Sequence, residues 1–232
     1  MNGHGALIVG AAPVDDRSGH YARLISRATT VIAADGGLLT CLAADRMPDV
    51  CVGDFDSTPP EALIRAAEAG AEIHRYPAVK DVSDLDLALG VARERGCRPV
   101  VLCGAFTARI DHTLTALATL VSAADLDAYA DEPGWVAVPL DAALRPSCDL
   151  AVPAGGVVSV LAFGGSAVVS AEGFEYPMEL LDLEPLSSLG LSNVSRDSCQ
   201  SVRVEAGRAL IIINRSAGAS PLQPPLPITD IL

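Results

Sequence analysis

Four short segments of this chain concentrate carboxylates, glycines and scarce cations at spacings that could do chemistry. In Ala34-Asp35-Gly36-Gly37 the glycines let the backbone turn and approach a ligand closely. Asp35 there suits a ribose hydroxyl or a metal-bound water, and an ordinary Asp-Gly turn explains it as readily. In Gly53-Asp54-Phe55-Asp56-Ser57, an extended backbone would point Asp54 and Asp56 to the same side. Two like charges at one place are costly unless a cation or a shared proton relieves them. Mg²⁺ suits them best, because it takes one or two carboxylates plus substrate phosphates; a solvated Asp-rich turn is the plainer alternative. In Lys80-Asp81-Val82-Ser83-Asp84-Leu85-Asp86, Ser83 followed three positions later by Asp86 resembles a capping box that starts a helix. Lys80, Asp81 and Asp84 crowd that junction, as a phosphate-and-metal site requires and as a surface ion pair also would. In Gly104-Ala105-Phe106-Thr107-Ala108-Arg109-Ile110-Asp111-His112, Arg109 offers a fork for bidentate phosphate contact beside a helix start at Asp111. His112 reads as a hydrogen-bonding neighbour more readily than as a proton-transfer group.

Each cluster follows a short apolar run. Ala6–Val9, Thr30–Ala33, Val50–Val52 and Pro99–Cys103 read as strands buried on both faces, alternating with amphipathic stretches at 19–28, 60–69, 84–95 and 111–124. That alternation predicts an N-terminal α/β domain, doubly wound and mostly parallel, over residues 1–135. Ligands bind outside the carboxyl ends of such strands, where the four clusters fall. Over 136–217 short β-branched runs (157–161, 167–170, 201–204, 210–213), punctuated by Gly155-Gly156, Gly164-Gly165 and Ala206-Gly207, predict a C-terminal antiparallel β-sandwich domain. Residues 218–232 read as a Pro-rich tail.

Composition removes several classes of function. The 232 residues carry 16 basic and 29 acidic side chains, a formal net charge of −13. A field of that sign argues against nucleic-acid partners and against anionic membrane surfaces. Fifteen of the 16 basic residues are Arg, and the sole lysine, Lys80, lies between Val79 and Asp81, so there is no P-loop. The start lacks a basic n-region, and no apolar run reaches the roughly 18 residues of a membrane span, so a cytoplasmic protein is expected. Six scattered cysteines without a C-x-x-C pair read as buried free thiols.

Taken in order, Asp-Gly-Gly, Gly-Asp-Phe-Asp-Ser, Lys-Asp-x-Ser-Asp and Arg-x-Asp-His resemble the motifs of the thiamine pyrophosphokinase (thiamine diphosphokinase) family. Further along, Gly173-Phe174-Glu175-Tyr176-Pro177-Met178 resembles that family's Gly-x-x-Tyr-Pro-Leu stretch, and Ser192-Asn193 its Ser-Asn motif. Thr107 and Ala108 depart from the pattern, standing where the family usually has two glycines; Ser83, Asp86 and Val194 are milder replacements.

The resemblance implies transfer of a pyrophosphoryl group from ATP to thiamine, giving thiamine diphosphate and AMP. It implies Mg²⁺ at Asp54, Asp56 and Asp84, with Lys80, Arg109 and Asp111 positioning the triphosphate and the attacking hydroxyl. Asp35, Gly36, Gly37, Asp81, Gly104, Arg109 and His112 would line the ATP pocket, and Ser192 and Asn193 would contact thiamine in a homodimer. No general base stands out, and Asp84 is the first candidate. Two alternatives remain open at this point: a pyrophosphokinase acting on another hydroxymethyl substrate such as a pterin, and a nucleotide-sensing module without catalysis.

Overall fold

The computed structural model describes residues 5–12, 19–79 and 81–215. Lys80 and the 218–232 tail lie outside the described residues. The chain divides into two compact units, with the division inside a helix between Thr119 and Leu120, earlier than the expected 135/136 boundary.

The first unit contains β1 (Ala6–Val9), α1 (His20–Arg27), β2 (Thr30–Ala34), α2 (Gly37–Ala43), β3 (Val50–Gly53), α3 (Pro60–Glu68), β4 (Glu72–Arg75), α4 (Asp84–Glu94), β5 (Val100–Cys103) and the start of α5 (Ile110–Ser122). Its strands run in the order β5-β1-β2-β3-β4 and are parallel where paired. β1, β3 and β5 are buried along their whole length, which is why they read as unbroken apolar runs rather than alternating ones. Helices supply the cover. α1 turns Tyr21, Leu24 and Ile25 inward, and α4 buries Leu85, Ala88, Leu89 and Ala92, the face expected of it. Each such leucine or isoleucine contributes about 1.5–3 kcal/mol on burial, and the alanines less.

Register then fixes where the chemistry falls. Val9 pairs with Ala33 on one side and Cys103 on the other, Ala34 with Val52, and Gly53 with Arg75. The residues next in sequence, Gly10, Asp35, Asp54 and Gly104, therefore leave the same edge of the sheet. The chain moves outward from β1 through β2 and β3 to β4, then crosses back to place β5 on the other side of β1. The β1–β5 boundary is thus the topological switch point, where successive connections diverge and leave a crevice.

β4 was not evident in the sequence. Its four residues, Glu-Ile-His-Arg, carry charge on a strand that closes one end of the described sheet and pairs only with β3. α2 was not evident either, because seven residues opening on a glycine give little periodicity to read.

The second unit holds β6 (Tyr129–Glu132), β7 (Trp135–Asp141), β8 (Ser147–Leu150), β9 (Val157–Ala162), β10 (Ala167–Glu172), β11 (Met178–Leu183), β12 (Asn193–Val194), β13 (Gln200–Ala206) and β14 (Arg208–Asn214). They form two antiparallel layers, ordered β12-β9-β14-β7-β6 and β11-β10-β13-β8. β13 approaches β7 and β10 approaches β14, which makes the unit a sandwich. β10 alternates strictly, burying Ala167, Val169 and Ala171. β6 belongs here because it pairs with β7, Ala130 opposite Ala137. Pro139, which argues against an interior strand, is tolerated in β7: it faces Leu210 of β14 and lies beyond the last β6 partner.

Candidate active site

The carboxyl edge of the parallel strands opens into a cavity of about 680 Å³, to which Asp35, Asp54, Asp84, Thr107, Arg109 and His112 contribute. All four sequence clusters, and the residues after β1, meet there. The loops at the switch point touch directly: Gly10 N–H donates to Cys103 O at 2.9 Å, and Ala12 N–H to Gly104 O at 2.8 Å. A Cβ on Gly10 would stand 2.6 Å from both Ala105 Cα and Gly104 O, so only glycine permits this approach. Gly10, Ala11 and Ala12 also line the cavity. Sequence reading missed them, although they follow a clear strand, because they carry no polar side chain.

Asp35, Asp54 and Asp56 form one group, with a carboxylate oxygen from each lying within 4.8 Å of the others. The means differs from the extended segment expected. Phe55 takes φ +60°, a left-handed conformation costly for a bulky residue, and the Asp56 N–H donates to Asp54 Oδ1 at 3.1 Å. This tight turn folds the two carboxylates together. Arg75, at the end of β4, donates to Asp54 O at 3.1 Å and lies 5.3 Å from the centroid of the Phe55 ring. No motif pointed to Arg75.

Asp35 also sits at positive φ, +47°, which an Asp tolerates. Its Oδ2 accepts the Ser57 hydroxyl at 3.0 Å, and its buried Oδ1 has no hydrogen-bond partner. A divalent cation fits this arrangement, since three hard oxygen donors converge and one of them is buried without a proton donor. The structure gathers Asp35, rather than Asp84, with Asp54 and Asp56. Asp84 lines the same cavity from the first residue of α4.

The start of α4 is the capping box expected. Ser83 Oγ accepts the Asp86 N–H at 3.2 Å, while Asp86 Oδ2 accepts the Ser83 N–H at 3.1 Å and its hydroxyl at 2.6 Å. Asp86 Oδ1 accepts the Thr119 hydroxyl at 2.8 Å, tying α4 to α5. Asp81 is exposed in the turn before this helix.

Arg109 and Asp111 form an exposed fork, Nη2 to Oδ2 at 2.6 Å and Nε to Oδ1 at 3.3 Å. The guanidinium holds the Asp111 carboxyl below its usual range, chiefly through the hydrogen bond. Gly36 caps α2, and Gly37 packs so tightly that a Cβ would meet Val9 O at 2.0 Å. These two glycines hold α2 against β1. Gly104, at φ +59°, turns the chain out of β5.

In the second unit, Asn193 is buried and its amide is spent on backbone. Its Oδ1 accepts the Tyr176 and Val194 N–H groups at 3.1 and 2.9 Å, and its Nδ2 donates to Tyr176 O at 2.6 Å. It joins the two motifs of that unit and holds Tyr176, a residue 69% exposed. Ser192 is exposed at φ +58°. Trp135 is half-buried at the start of β7, opposite Asn214.

Residues 21–129 match the family model described as thiamin pyrophosphokinase, catalytic domain. The α/β part of the chain is thus similar to the catalytic domain of thiamin pyrophosphokinases. A thiamine pyrophosphokinase of Bacillus subtilis (strain 168) is 38% identical over 86 residues, which span 37% of this chain and 40% of that relative. Fold likeness runs further than this sequence match. The crystal structure of thiamine pyrophosphokinase from Bacillus subtilis superposes with TM-score 0.75 at 22% identity, over 92% of this chain and 100% of that one. The thiamin pyrophosphokinase from Geobacillus thermodenitrificans gives 0.75 at 24% identity, over 93% and 99%. The Candida albicans thiamin pyrophosphokinase gives 0.69 at 15%, over 92% and 90%. At those identities the structures speak to fold, so both the α/β part and the sandwich have the architecture of thiamin pyrophosphokinases. Among the described residues no helix is long and apolar enough to cross a membrane.

Proposed function

We propose that the protein transfers the pyrophosphoryl group of ATP to the hydroxyethyl group of thiamine, releasing AMP and thiamine diphosphate. The observation that carries this reading is the convergence of Asp35, Asp54 and Asp56 beside a cavity that Arg109 also lines. The thiamine oxygen bonds to the β-phosphorus, the bond from that phosphorus to the α,β-bridging oxygen breaks, AMP leaves with that electron pair, and the hydroxyl proton is released. Positioning and charge neutralisation do most of the work in such a transfer. Asp54 and Asp56, joined by Asp35, would hold Mg²⁺, which when bound offsets phosphate charge. Arg109 offers its guanidinium to the phosphates; its pair with Asp111 is exposed on both sides and weakly held, so it yields to a triphosphate. Asp84, assigned to the metal by the family resemblance, lies outside the group of three and takes the part of proton acceptor. Lys80 keeps its triphosphate role on sequence grounds.

For thiamine, Ser192 supplies an exposed hydroxyl, and Tyr176 an exposed aromatic face suited to a cationic thiazolium. Asn193 acts by holding the Tyr176 backbone. Exposed Leu180, Leu186, Leu189 and Leu191 in the same stretch support a homodimer, since apolar clusters of this kind mark protein contacts. Cytoplasmic location completes the reading. Incubation with Mg²⁺, ATP and thiamine should give AMP and thiamine diphosphate in equal amounts. ADP with thiamine monophosphate would overturn the mechanism, and turnover of a hydroxymethyl pterin in place of thiamine would overturn the substrate.

A further inference from the structure

Thr107 stands where the family pattern has a glycine, and its surroundings are specific. The Thr113 hydroxyl donates to Thr107 O at 2.8 Å and accepts the Thr107 N–H at 3.2 Å. The Thr107 hydroxyl in turn accepts the Arg109 N–H at 3.1 Å and donates to Arg109 O at 3.3 Å. Each hydroxyl therefore satisfies both backbone groups of the residue it serves. Thr113 rides on the first turn of α5, so the relay is anchored on a helix and ends at the guanidinium-bearing residue. Both threonines are half-buried, and Thr107 lines the same cavity as Arg109.

We infer that Thr107 and Thr113 are positioning residues that preorganise the Arg109 backbone for an incoming triphosphate. The inference rests on the phosphate role of Arg109 proposed above. Ordering a loop on binding subtracts from affinity, and a loop already ordered avoids that loss. Glycine at 107 leaves φ and ψ open, whereas a β-branched residue with a bonded hydroxyl closes them. The chain thus replaces a backbone that can approach phosphate closely with one that holds an arginine in place for it.

The test is the dissociation constant of MgATP, measured calorimetrically without thiamine, for wild type, Thr113→Val, Thr113→Ser, Thr107→Gly and Arg109→Ala. Losing one anchor should weaken binding about three- to tenfold in Thr113→Val and in Thr107→Gly. Thr113→Ser keeps the hydroxyl and should retain wild-type affinity, and the KM for thiamine should stay unchanged in Thr113→Val and Thr107→Gly. Arg109→Ala should weaken binding at least as much. If Arg109→Ala weakens binding while Thr113→Val and Thr107→Gly bind as wild type does, the relay is overturned and the role of Arg109 stands. If Arg109→Ala binds MgATP normally, the phosphate role of Arg109 falls and the inference falls with it. Should Thr113→Val fail to fold, the loop variant Thr107→Gly decides: wild-type affinity there overturns the relay.

Discussion

Asp35 gains most from the structure at the level of single residues. As a lone Asp beside two glycines it is ambiguous in sequence; folded, it stands with Asp54 and Asp56 and keeps a buried oxygen without a donor. Asp54→Asn and Asp35→Asn should each weaken Mg²⁺ binding in a titration calorimeter, and Asp54→Asn should lower turnover about a hundredfold or more at saturating substrates. Normal Mg²⁺ binding by both variants would remove the metal assignment. Asp111 gives a second handle. The Arg109 hydrogen bond lowers its pKa, so the pair is intact above the usual carboxylate range and is lost as pH falls through the lowered value. Arg109→Ala should raise the Asp111 carboxyl towards the ordinary carboxylate range, read from its carbon chemical shift against pH. Asn193 differs from Asp35: the family resemblance gives its amide to a ligand, and here that amide bonds the Tyr176 backbone.

Elements were legible where burial imposed a simple pattern. β1, β3 and β5 are covered on both faces and announce themselves as apolar runs; α4 shows its capping box and its buried face in the residue order. β4 and α2 escaped because one is short and polar and the other is held by packing rather than by periodicity. The cause of α2's placement is a contact between segments, Gly37 against Val9 O, which no local pattern encodes. The same is true of Gly10 against Ala105, and of the turn at Phe55 that joins the carboxylates. Gly37→Ala should therefore destabilise the protein by about 1–3 kcal/mol, the usual range for overpacking, visible as a lower denaturant midpoint with unchanged slope. A midpoint equal to that of wild type would show that α2 can shift away from β1.

On the scale of the whole molecule, the cysteines and the charge make distinct predictions. Five cysteines are buried as expected, but Cys199 is exposed. Burial pushes the Cys41 and Cys148 thiols up to about 12 and Cys51 to about 11. A thiol reagent at pH 8 should modify Cys199 alone in the folded protein and all six after unfolding. Because those thiols stay protonated when folded, the unfolded chain binds fewer protons above the ordinary thiol value of 9.0, and stability should fall as pH rises beyond it. The charge of −13 repels free ATP while favouring its Mg²⁺ complex, so ATP affinity measured without Mg²⁺ should be markedly weaker. The last strand of the parallel sheet bears on the behaviour of many copies together. A strand edge without a partner is a template on which another chain can add; among the described residues β4 has none on its outer side and presents Glu72, His74 and Arg75, with Glu72 engaged by Arg95 at 2.6 Å. Those charges make self-templating unfavourable. A chain with Val at 72 and 74, Arg75 kept against Asp54, should retain its carboxylate group yet form fibrillar or amorphous aggregates on concentration, the sheet growing outward through the side that its charged last strand now guards.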